Sequence, residues 1–161
     1  MTLVSREGVQ EDPWVFVADD AALPEDGAVV VTLERWQRDG NALLARSGRL
    51  GICLRSDETA EALVEALGHF DLVALEFPQF KDGRPYSSAR ILRERYGYTG
   101  ELRAVGDVLR DQLFFMLRCG FDSFELPDRA NIQEWMQAFE EIGVVYQPAS
   151  DGRRPVPGLR R

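Results

Sequence analysis

Leu50–Phe77 reads LGICLRSDETAEALVEALGHFDLVALEF. Two apolar runs, Leu50–Leu54 and Asp71–Phe77, have the length and composition of strands. Between them, Ser56–Thr59 carries a capping signal, and residues 58–67 place Ala60, Leu63, Val64 and Leu67 on one helical face. The second run is nearly continuous in apolar residues, which predicts a strand buried on both faces. A strand, a helix and a strand within thirty residues make a β-α-β unit with parallel strands.

The same alternation continues downstream. Residues 78–85 form a loop and 86–96 a helix ended by Gly97. Leu102–Val105 is a strand, 108–119 a helix ended by Gly120, and Asp122–Leu126 a strand. Residues 130–142 are a helix and Val144–Gln147 a last strand. Upstream, Trp14–Val17 and Ala28–Thr32 read as strands. A short helix begins at Leu33, and Asn41–Arg46 is a connector. The expected fold is α/β, with alternating β-α units on a mainly parallel sheet, either open or a partial barrel. A closed eight-stranded barrel takes about 250 residues, and this chain has 161. Residues 1–150 are expected to form one α/β domain, with residues 1–12 loose and 151–161 a disordered tail rich in Pro, Gly and Arg.

Composition excludes several classes. The net charge is −8, and residues 1–75 carry all of the excess acid. An acidic chain is repelled by phosphate backbones, so no nucleic-acid partner is expected. No apolar run approaches a membrane span, and residues 1–12 have no apolar signal core. With scarce cysteines, this predicts a cytoplasmic protein. Two isolated cysteines, Cys53 and Cys119, and one histidine, His69, supply neither a zinc nor an iron–sulfur ligand set. No metal site and no cofactor are expected, since dinucleotide and nucleoside-triphosphate fingerprints are missing too.

Parallel α/β folds bind ligands at the carboxyl ends of their strands. Two loops there are unusual. In the first, Glu76 closes an apolar strand, where an unpaired carboxylate is costly. Asp82-Gly83 makes a tight turn presenting Arg84, and Tyr86, Ser87 and Ser88 open the next helix. Lys81, Arg84 and Arg90 together would hold a small oxyanion or a partner's carboxylate. The plain alternative is a turn and a Ser-capped helix in which Arg90 pairs with Glu94. In the second, Arg103 lies inside a strand and needs an acid, which Glu76 or Glu125 on flanking strands would supply. Asp107 is the expected N-cap of the next helix. Asp107, Arg110 and Asp111 share one helical face, while Leu109, Leu113, Met116 and Leu117 share the core face. That polar face lines the same cleft or is a solvated surface with an Asp–Arg pair.

Phe77–Arg90, Leu92–Gly97, Gly100–Gln112 and Arg118–Asp122 resemble one bacterial domain-of-unknown-function family, number nine-three-four. The resemblance spans residues 28–127. It implies a role near sulfite reduction in sulfur assimilation, since members are described as oxidoreductases of that process. Their genes neighbour the assimilatory sulfite/nitrite reductase haemoprotein. It implies no catalytic residue, and whether the chain is an enzyme stays open. The first reading is an accessory protein that binds the sulfite reductase haemoprotein, or a redox partner, through the 78–90 loop and the 107–118 helix. Arg84, Arg90 and Arg110 would anchor it. The alternative is a small oxyanion-binding enzyme, with Arg84 and Arg90 on the anion and Asp82, Asp107 or Asp111 as acid or base. A homo-oligomer covering an edge strand is a third.

Overall fold

The β-branched run Ala28–Thr32 forms β4, the second of six parallel strands in the computed structural model, which describes residues 1–143. The others are β3 (Trp14–Phe16), β5 (Leu50–Leu54), β6 (Leu72–Phe77), β7 (Glu101–Gly106) and β8 (Ser123–Leu126). They pair in chain order, each parallel to the next. That is the connectivity of a partial barrel.

Residues 1–12 are not loose. They hold β1 (Thr2–Ser5) and β2 (Gly8–Gln10), an antiparallel hairpin whose first strand also pairs antiparallel with β8. Its apolar residues Leu3 and Val4 are buried. Two buried positions are too short a pattern to announce a strand. The expected strand Val144–Gln147 and the expected tail 151–161 lie outside the described residues.

β2 and β3 are the two outer strands of the eight-stranded sheet, yet only Glu11–Pro13 separates them in sequence. Four residue steps span at most about 14 Å. The sheet must therefore curl until its edges approach at that end, and it forms a half-barrel.

Side chains alternate between the two faces. Val31, Ile52, Leu75, Phe77, Leu102 and Phe124 form the main core with the helices. These are α1 (Leu33–Leu44), α2 (Arg84–Arg90), α3 (Leu113–Cys119) and α4 (Ile132–Glu141). The inner face carries a smaller cluster, Trp14, Ala28, Val30 and Leu72 with Cys53, and no helical residue belongs to it. Helices thus cover the outer face alone, and the inner face opens at the carboxyl ends of the strands, around Cys53, Glu76, Val105 and Glu125.

Several expected helices differ in detail. Residues 58–67 form no α-helix but 3-10 turns at Ala60–Leu63 and Leu67–His69. Buried Ala60 and Leu63 stand three apart, the 3-10 repeat, while Val64 is exposed. α1 runs through the expected connector to Leu44, bent at Asp39, whose carboxylate meets Arg35 Nε at 2.6 Å. α2 begins at Arg84 with Pro85 in its first turn, so Tyr86 and Ser87 lie inside the helix and do not open it. It continues as a π-turn over Ile91–Arg95. The helix expected from 108 starts as a 3-10 turn at Arg110–Gln112 and becomes α3 only at Leu113. Leu109 consequently leaves the core and is 37% exposed.

Candidate functional site

The carboxyl ends of β5, β6 and β7 meet through their loops. Arg84 donates from its backbone N (3.0 Å) and Nε (3.0 Å) to Asp82 Oδ1, and from a terminal nitrogen to Oδ2 (2.8 Å). The same nitrogen donates to Ser56 Oγ (3.0 Å), tying the loops after β5 and β6 together. The Arg84 guanidinium holds the Asp82 carboxyl far below the usual carboxylate range. Phe80 N donates to Asp107 Oδ2 at 2.9 Å, which joins the loops after β6 and β7. Asp107 is thus no N-cap: the helix starts too late for its carboxylate to reach the first free N–H groups.

Gly106 makes this junction possible. Its φ is +90°, and a Cβ there would lie 2.4 Å from the Phe77 carbonyl oxygen. Asp107 N donates to that same oxygen at 2.7 Å. Gly106→Ala is therefore expected to cost about 2 kcal/mol, from the strained φ and the displaced strand end. Urea unfolding measures it.

The remaining arginine candidates are met by nearby acids. Arg90 lies 3.7 Å from Glu94, and Arg110 lies 3.7 Å from Asp111. Lys81 and Gly83 are exposed on the loop, and Ser87 on the outer side of α2. Arg103 is fully buried, but its acids are Asp12 (2.9 Å) and Glu101 (3.1 Å), not Glu76 or Glu125. Glu101 shares its strand face two residues earlier, and Asp12 reaches in from the Glu11–Pro13 crossing. Ser123 Oγ also donates to Glu101 (2.5 Å). Neither acid expected on the flanking strands, Glu76 or Glu125, forms an ion pair with Arg103.

Sequence reading missed four exposed apolar side chains on these segments. Phe80, Leu109, Phe114 and Phe115 are all 37–47% exposed. Phe115 packs at 4.7 Å on buried Tyr86, whose hydroxyl donates to Gln112 Oε1 at 3.2 Å. Burial pushes the Tyr86 phenol up to about 12. Tyr86 in turn stacks edge-on against Phe77 at 5.1 Å, so the surface stands on the core. Arg90 lies over the Phe115 ring at 5.8 Å and Arg118 over the Phe114 ring at 5.6 Å. A signal was present in the sequence: once Leu113, Met116 and Leu117 take the core face, Phe114 and Phe115 must point outward.

These loops and helices lie within residues 51–157, which match the profile described as "Bacterial protein of unknown function (DUF934)". The chain belongs to this family. Its matched part begins at β5 and takes in the family stretch from Phe77 to Gln112. No curated protein matches the chain. Among the described residues of this family member, no group of three or more His, Cys, Asp or Glu is placed to hold a metal ion. No helix among them is long and apolar enough to cross a membrane.

On the inner face, Cys53 and Glu125 share a cavity at the half-barrel mouth. Burial, then Glu76, pushes the Cys53 thiol up to about 12, so it is no nucleophile at neutral pH. Burial also raises Glu125. A carboxyl raised on folding stabilises below its unfolded pKa and loses that contribution as pH rises through the folded value. Glu125→Gln is therefore expected to raise the melting temperature at pH 7. The gain should shrink as the pH falls towards about 4, as wild-type Glu125 takes up its proton. Thermal melts at the two pH values check this.

Proposed function

We propose that this chain is a cytoplasmic accessory protein of assimilatory sulfite reduction. It docks on the reductase haemoprotein, or on a redox partner, through the Phe80–Leu109–Phe114–Phe115 surface. The link to sulfite reduction comes with the family resemblance. The docking mode is supported by one observation above the others: four large apolar side chains are exposed on the 78–90 and 107–118 segments, with arginines lying over two of the rings. Aromatic residues and arginine are the types enriched in interface centres, and they carry most of the energy when buried there. Rigid support by Tyr86 and Phe77 lowers the ordering cost of docking. The oxyanion-enzyme reading has less support, because Arg84 and Arg90 already face Asp82 and Glu94.

The test is affinity purification of the tagged chain from its own host grown on sulfate. Co-elution of the haemoprotein in near-equal amount, with haem absorption in the visible spectrum, is expected. A colourless protein eluting alone under these conditions overturns the reading.

A further inference from the structure

The half-barrel has a cavity of about 550 Å³ at the carboxyl ends of its strands, on the face no helix covers. That is the size of a small-molecule site. Phe16, Val17, Val30 and Val105 give it an apolar wall, and Phe16 is 45% exposed. Glu76 and Glu125 line it as well. Glu76 is in register with Val105, and the β7–β8 register continues to put Glu125 on the other side of Val105. The two glutamates thus stand in one row, two strand spacings or about 10 Å apart at the backbone, on a curled inner surface.

Neither carboxylate has a hydrogen bond or ion pair among the described residues, although both are half-buried. The side chains around them make their direct contacts elsewhere. Arg103 is held by Asp12 and Glu101 beneath them. Arg55 at the rim is held by Glu58 (3.1 Å), and Thr32 Oγ1 donates to Asp19 (2.5 Å). Arg103 and the N-terminus act on Glu125 through space, but burial outweighs them, so a half-buried carboxylate without a direct ion pair beside an apolar wall favours a ligand that supplies the charge.

The geometry points to a binding site for a small organic cation, an alkylammonium or alkylguanidinium. Its charge lies between Glu76 and Glu125, and its apolar body rests on Phe16, Val17 and Val105. An aromatic face at Phe16 adds a favourable contact to such a cation. This site is separate from the aromatic docking surface, and neither needs the other.

Calorimetric titration of the full chain with hexylammonium, hexanol and hexanoate tests it, since the three share one apolar body and differ in charge. Hexylammonium is expected to bind at a single site at least tenfold tighter than hexanol, with hexanoate weakest. Glu76→Gln and Glu125→Gln are near-isosteric and leave Arg103 paired, and each should weaken hexylammonium by about tenfold while hexanol is unaffected. Circular dichroism confirms that both variants fold. Equal binding of the three probes overturns the proposal. So does hexylammonium binding that both variants retain, or no binding up to about 10 mM, the millimolar limit for so small a ligand.

Discussion

Arg103→Met lowers the melting temperature by about 10 °C. The Arg103 side chain is 1% exposed and is gripped from two directions, by Asp12 and by Glu101. Removing it leaves two carboxylates at the base of the half-barrel without their cation. Breaking a buried ion pair from one side costs about 3 kcal/mol or more. In a chain of this size each kcal/mol moves the transition by about 3 °C. The loss reaches beyond the pair, because Asp12 belongs to the three-residue crossing that holds the sheet edges together. Asp12→Asn should cost less, about 1 kcal/mol, since Asp12 is 32% exposed and Glu101 still pairs with Arg103. Equal melting of wild type and Arg103→Met would show that the network adds nothing to stability.

Phe114→Ala/Phe115→Ala weakens docking about a hundredfold while leaving the fold in place. Both rings are 42–43% exposed, so their removal opens no core cavity. Interface aromatics commonly cost about 2 kcal/mol each on truncation, and neighbouring losses add imperfectly. Arg90→Ala and Arg118→Ala act on the rim, so they should slow association and reduce its salt dependence more than they speed dissociation. Surface plasmon resonance against the purified haemoprotein separates the two effects. Unchanged affinity in the double phenylalanine variant would place the interface elsewhere.

The parallel alternation was legible because each strand from Leu50 to Leu126 announces itself by an apolar run and a following turn. Length excluded a closed eight-stranded barrel but left an open sheet and a partial barrel equally open; the curl shows only once β2 and β3 are placed at the two edges. The N-terminal hairpin was not, because Thr2–Gln10 offers only Leu3 and Val4 to the core. The 3-10 turns after β5 and before α3 were read as α-helix, because an apolar spacing of three and four suits both. Arg103 announced itself as a buried charge, but its partners did not. Asp12 lies 91 residues away in sequence and is brought in by the curl of the sheet. The 78–90 and 107–112 segments were found as unusual loops. What they present is aromatic, because their charges are already matched locally: Arg84 to Asp82, Arg90 to Glu94, Arg110 to Asp111. Local ion pairs of this kind need side-chain geometry to be seen.

The most direct measurement of the docking claim is a calorimetric titration of the purified full chain into the purified sulfite reductase haemoprotein of the same host. Wild type and Phe114→Ala/Phe115→Ala are compared in the same buffer. Saturable binding near one to one, with the negative heat-capacity change of apolar burial and its loss in the variant, is the predicted result. No heat of binding for wild type, or equal binding by the variant, contradicts it.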